Sequence, residues 1–141
     1  MSLDCLVLII EDDELDRALV AELFAVRGKG RIGVTQASDL RAGLELLEKQ
    51  SFDLVMLDTK LPDATPLYAL RAVGERAPLT PILPHPAYIT NKARQVARER
   101  GAFDAVVRSE LNNMWAAVTK LLTLANPGAV TSVTPDSAKA S

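Results

Sequence analysis

A chain of 141 residues has room for one compact domain and not for two of ordinary size. With 48% hydrophobic and 24% charged residues it can bury a core in water, and a formal net charge of -2 argues weakly against nucleic acid as a direct partner. The single cysteine, Cys5, excludes an internal disulfide, and the first apolar run is too short for a bilayer span and lacks the basic flank of a secretion signal, so a reducing cytoplasm is the expected setting.

Leu6 to Ile10 is a continuous apolar run, the signature of a strand buried on both faces of a parallel sheet. It ends in the acidic cluster Glu11-Asp12-Asp13-Glu14. Leu15, Ala18, Leu19, Glu22, Leu23 and Val26 then follow helical spacing, and Gly28 and Gly30 close that helix in a basic turn with Lys29 and Arg31. Ile32 to Ala37 reads as a second strand. Ser38 or Asp39 caps a helix carrying Leu40, Leu44, Leu46 and Leu47. Phe52 to Leu57 is a third strand that delivers Asp58 at its C-terminal end. After a loop with Pro62, Thr65 caps a helix with Pro66 in the favoured first position and Leu67, Leu70 and Val73 on its inner face.

Pro81 to Leu83 is a short fourth strand, because Pro84 and Pro86 cannot donate to a ladder. Thr90 caps a helix from Asn91 to Arg100, and Gly101 closes it. Ala105 to Val107 is predicted as a fifth strand ending at Arg108. Ser109 caps a last helix with a stripe of Leu111, Met114 or Trp115, Val118, Leu121, Leu122 and Ala125. Trp115 suits either the core or a contact face. Cys5 reads as a small core residue. Residues 1–125 form the expected domain. Residues 126–141, rich in Ala, Ser, Thr, Val and Pro, are expected as a flexible tail, with Ala129 to Val133 adding as a strand to a neighbour's sheet edge as the less favoured reading.

Five alternations of strand and helix predict a parallel sheet covered on both faces. Ligands of such sheets sit beyond the C-terminal strand ends, at the point where strand order reverses. Glu11, Asp12 and Asp58 are expected to meet there, with Arg108 as a fixed cation. An all-oxygen set with open positions suits Mg²⁺. A carboxylate nucleophile beside a divalent ion and a cation suits phosphoryl transfer. Each residue alone also has a structural reading: acids at a helix start favour the macrodipole, an Asp suits a turn, and an Arg suits a solvated surface. Their joint placement at strand ends favours chemistry.

The chain resembles the receiver domain of bacterial two-component response regulators. The likeness rests on Leu8-Ile9-Ile10-Glu11-Asp12-Asp13-Glu14, on Phe52 to Pro62 around Asp58, and on Gly101 to Arg108, and it spans Leu6 to Ala125. It implies a doubly wound, flavodoxin-like α/β fold with a five-stranded sheet in order 2-1-3-4-5 and five helices. It implies Asp58 as phosphoacceptor, and Mg²⁺ held by Asp12, Asp58 and the Lys60 backbone carbonyl with Glu11 assisting. Arg108 and Thr59 would contact the phosphate. The donor would be a histidine kinase or histidine phosphotransfer protein. No output domain is read after the receiver, so signalling by protein–protein contact is implied, with a homodimer through the last helix or the tail left open.

The switch positions diverge. The family's phosphate-binding Ser or Thr slot holds Pro86, which has no donor, and its switch aromatic aligns with Ala105. The lysine slot holds Arg108, a forked donor, and Ser109 stands where the family usually has proline. Tyr88 and Thr90 are the nearby hydroxyls, with capping the favoured role for Thr90. Losing one charge-assisted hydrogen bond costs roughly 1.5–3 kcal/mol, the size of a typical allosteric coupling. His85 has no second His or Cys nearby and reads as structural. The competing readings are a pseudo-receiver that binds partners without phosphate, and a Mg²⁺-dependent aspartyl phosphohydrolase. The phosphohydrolase is disfavoured by Lys60 in the slot where that chemistry needs a second Asp.

Overall fold

A computed structural model describes residues 4–85, 91–101 and 103–125. Four strands, β1 (Cys5–Ile10), β2 (Ile32–Ala37), β3 (Leu54–Asp58) and β4 (Ile82–His85), form one parallel sheet in order β2-β1-β3-β4. Between and after them run α1 (Glu14–Arg27), α2 (Leu40–Lys49), α3 (Pro66–Arg76), α4 (Asn91–Glu99) and α5 (Phe103–Ala125).

Side chains alternate across β1 and β3 and so build two cores. Cys5, Val7, Ile9, Leu54 and Met56 pack with Val20 and Phe24 of α1 and Met114, Trp115, Val118 and Leu122 of α5. Leu8, Ile10, Val55 and Leu57 pack with Leu40 of α2 and Ala69 and Val73 of α3. Trp115 is a core residue, fully buried, with its ring edge-on to Phe24 at 5.6 Å between centroids. Cys5 is buried as expected, and burial first, then Asp53 and Asp4, pushes its thiol up to about 11.

Local chemistry sets the helix starts. Asp39 accepts the Ala42 N–H at 2.8 Å, and Thr65 caps α3 with Pro66 in its first turn. In α2, Gly43 lies so close to β1 that a Cβ there would sit 2.4 Å from Ile10 Cδ1. Asp63, in the β3–α3 loop, accepts the Leu40 and Arg41 N–H groups at 3.0 and 3.1 Å.

Several expectations are corrected. Ala105 to Val107 do not form a strand: they lie inside α5, so the sheet has four strands in order 2-1-3-4 among the described residues. No Gly or Pro interrupts Phe103 to Ala125, so the helical ladder runs through the β-branched pair and through Ser109, which caps nothing. The fourth strand is longer than expected, with Pro84 opposite Leu57 in register. It is an edge strand among the described residues, and its Pro84 is exposed. In α1 the buried face is Asp16, Val20, Leu23 and Phe24, while Leu15 and Val26 are exposed, because the Phe24–Trp115 contact fixes the helix phase. Leu67 also faces solvent, and Ala69 and Val73 take the inner face of α3. Pro86, Tyr88, Thr90 and residues 126–141, including Ala129 to Val133, lie outside the described residues.

Candidate functional site

The site is built by two neighbouring strand ends. β1 and β3 pair directly, with Ile10 opposite Leu57, so Glu11 and Asp12 leave the sheet beside Asp58. One carboxylate oxygen of each can be chosen so that all lie within 4.8 Å of one another. Asp58 and Glu11 are buried, and Asp12 is exposed at the rim.

Asp58 and Glu11 are each held by a backbone N–H. The Lys60 N–H donates to Asp58 Oδ1 at 2.9 Å, which curls the loop back over the strand end. The Asp13 N–H donates to Glu11 Oε2 at 3.1 Å, and the Asp13 side chain caps α1 through the Asp16 N–H at 2.8 Å. Glu11 Oε1 is buried and has no hydrogen-bond partner among the described residues. Burial first, then the neighbouring Asp58, pushes the Glu11 carboxyl up to about 9. Burial and the nearby Asp58 thus favour its neutral form over its charged one. Asp12 is raised as well, by desolvation and then by Asp58. No ion pair among the described residues offsets the three acids.

This donor set fits a hard divalent cation. All three side chains offer oxygen, one buried oxygen is unpartnered, and Asp12 leaves one flank open to water and substrate. A cation here would replace the protons that the cluster otherwise retains.

Other predicted residues fall differently. Thr59 is half-buried next to Asp58, and Lys60 is exposed. His85 lies opposite Asp58 in the β3–β4 register. Arg108 is not carried to the site by a strand: it is an exposed residue of α5, as are Ala105 and Ser109. Two contributors were absent from the sequence reading. Arg17, half-buried in α1, donates from Nη1 to the Glu11 carbonyl at 2.8 Å and brings a cation to the β1 end. Its signal is spacing, one turn after the Asp13 cap. Asp63 left only a faint signal, an acid in a proline turn. A groove of about 330 Å³ between α2 and α3, lined by Leu40, Arg41, Leu44, Glu45, Glu48, Asp63, Tyr68 and Arg76, contains none of the three clustered acids.

Comparison with known proteins gives a consistent picture. Residues 7–119 match the response regulator receiver domain family. The response regulator protein PilR of Pseudomonas aeruginosa is 31% identical over 123 residues, covering 86% of this chain and 27% of PilR. The TorCAD operon transcriptional regulatory protein TorR of Escherichia coli K12 is 33% identical over 122 residues, covering 82% of this chain and 49% of TorR. The chain thus spans about a quarter to a half of the length of these relatives. A CheY-like receiver domain protein from Methanospirillum hungatei superposes with a TM-score of 0.55 at 24% identity, over 72% of this chain and 78% of that one, a likeness of fold. Chemotaxis response regulator CheY4 of Vibrio cholerae gives 0.52 at 25% identity, over 70% and 79%.

Proposed function

Because the chain belongs to the response regulator receiver domain family, we propose that it is a signalling module that accepts a phosphoryl group on Asp58 from a histidine kinase or histidine phosphotransfer protein. The observation that carries this reading is the cluster itself: a buried Asp58 at the C-terminal end of β3, with Glu11 and Asp12 beside it and one Glu11 oxygen unpartnered.

Asp12, Asp58 and Glu11 would hold Mg²⁺, together with the Lys60 carbonyl that the resemblance implies. When bound, Mg²⁺ neutralises charge on the phosphoryl oxygens. The rest is the work of the chain's own groups. The Lys60 N–H fixes Asp58 Oδ1 and so orients the carboxylate for attack. In the transfer an Asp58 oxygen forms the new O–P bond as the donor's N–P bond breaks, and the donor imidazole leaves. Glu11, beside Asp58, would add a carboxylate oxygen to the set that holds the ion. Thr59 lies next in the chain, where it can contact the phosphoryl group. Arg17 anchors the β1 end and lends positive charge near the carboxylates.

The reading is of a phosphoacceptor with a cytoplasmic role and protein partners, and not of an enzyme that turns over a separate substrate. No helix among the described residues is long and apolar enough to cross a membrane. The net charge of -2 supports protein rather than nucleic acid as the direct contact of this chain.

Incubation with Mg²⁺ and a small-molecule phosphodonor, read by intact mass, tests the proposal. One added phosphoryl group is expected on the wild type and none on Asp58→Ala. No adduct under conditions that label an ordinary receiver overturns it. A phosphate-independent binding module is the second reading. It is favoured by Arg108, the expected phosphate cation, lying exposed on α5.

A further inference from the structure

The loop that leaves Asp58 is tied to a helix far from it in sequence. Asp63 Oδ1 accepts the Leu40 N–H at 3.0 Å and Oδ2 accepts the Arg41 N–H at 3.1 Å, bonds that span 23 and 22 residues of sequence. The first turn of a helix has four N–H groups with no partner inside the helix. In α2 the Ala42 N–H is satisfied by the Asp39 side chain, and the Gly43 N–H begins the regular ladder on the Asp39 carbonyl at 3.2 Å. The Leu40 and Arg41 N–H groups, which precede them, are met from outside by Asp63. Desolvation raises the Asp63 carboxyl, but the Leu40, Arg41 and its own N–H bonds outweigh it and hold the carboxyl below the usual range. The carboxylate thus stays ionised and keeps both bonds, strengthened by the helix dipole.

The same loop makes a second attachment, the Lys60 N–H to Asp58 Oδ1 at 2.9 Å. Between Asp58 and Asp63 it is therefore pinned at both ends: to the acceptor carboxylate and to α2. Leu61, buried between them in the α2–α3 core, seals the span.

We propose that Asp63 is a positioning residue for phosphoryl uptake, holding the 59–63 loop against the N-terminus of α2 so that the Lys60 peptide keeps its place on Asp58. This rests on the reading of Asp58 as phosphoacceptor. Asp63 touches neither the acceptor nor the expected ion and acts through the loop.

Three variants separate positioning from plain helix capping. Asp63→Ala removes the loop–helix tie. Asp63→Asn keeps one carbonyl oxygen for one of the two N–H groups. Asp39→Ala removes the cap of α2 from its own side and leaves the loop alone. Two quantities are measured on each: the hydrogen-exchange rate of the Lys60 amide by NMR, and the rate and Mg²⁺ midpoint of labelling by a small-molecule phosphodonor.

In Asp63→Ala the Lys60 amide is expected to exchange about tenfold faster and labelling to slow by about ten- to a hundredfold, with the Mg²⁺ midpoint raised about tenfold. Asp63→Asn should recover part of each effect. Asp39→Ala should lower the melting temperature while leaving the Lys60 amide and the labelling rate as in the wild type. If Asp63→Ala and Asp39→Ala behave alike in exchange and labelling, Asp63 is a helix cap and the proposal falls. If the wild type is never labelled, the phosphoacceptor reading falls, and the Lys60 exchange rates still decide whether Asp63 holds the loop.

Discussion

The two ends of β1 place titratable groups in similar surroundings and treat them in opposite ways. At the N-terminal end the Cys5 thiol is buried beside two acids and is pushed up to about 11. There the acids have partners: Asp53 Oδ2 receives the Leu6 N–H at 2.8 Å, and Asp4 is paired with Arg31. At the C-terminal end Glu11 is equally buried and is pushed up to about 9, but beside it stand Asp12 and Asp58, and its Oε1 has no partner among the described residues. Burial alone does not distinguish a structural acid from a functional one. What distinguishes them is whether the fold completes the hydrogen bonding and charge balance, or leaves them to something that arrives.

The largest expected effect breaks the C-terminal end outright. Asp58→Ala should abolish phosphoryl uptake by intact mass, and it should lower the Glu11 pKa, since Asp58 is its largest raising influence after burial. A retained adduct would place the acceptor elsewhere.

Next in size is the linkage of Glu11 to pH. Its folded value is raised to about 9 from an ordinary 4.5, so the unfolded chain binds fewer protons between those values. The contribution of protonated Glu11 is complete below about 4.5, declines as pH rises, and is lost above about 9. Metal-free protein should therefore lose stability from about pH 5 to pH 9, and Asp12, raised in the same direction, adds to the slope. Mg²⁺ prefers the carboxylates and should bind more tightly across that range, releasing protons. Glu11→Gln should flatten the metal-free profile in thermal melts and weaken Mg²⁺ binding in calorimetry by about tenfold or more.

The N-terminal end should respond in stability alone. Asp53→Ala removes the acceptor of the Leu6 N–H and is expected to cost about 1–2 kcal/mol in denaturant unfolding, with the Mg²⁺ midpoint unchanged. A shifted midpoint would mean that the two ends are coupled through β1. Smallest of all, Arg31→Ala should leave the melting temperature within measurement error, because the Arg31–Asp4 pair lies at the surface.

Much of this contrast was legible in the chain. The runs at Leu6–Ile10 and Phe52–Leu57 read as strands because they are apolar on both faces, and Glu11, Asp12 and Asp58 followed from where those runs stop. Ala105 to Val107 misled because β-branched residues suit a strand, whereas the absence of any helix breaker after Gly101 lets α5 continue, and Arg108 goes with it. The phase of α1 depends on Phe24 meeting Trp115, 91 positions later, which local periodicity does not encode. Asp63 was missed for the same reason. Its partners, Leu40 and Arg41, are peptide groups whose identity no side chain announces.

Gly43 has a consequence of its own. The α2 helix rests on β1 where a methyl group is missing, and Ile10, fully buried, has little room to yield. That absent methyl lets helix and sheet approach closely, and the Asp63 bonds to Leu40 and Arg41 are made at that clearance. Gly43→Ala is expected to act as a shim: it touches no acid and no loop, yet its methyl group would press on Ile10 and push α2 outward, away from Asp63. A survey that ranks substitutions by their distance from Asp58 would pass over it.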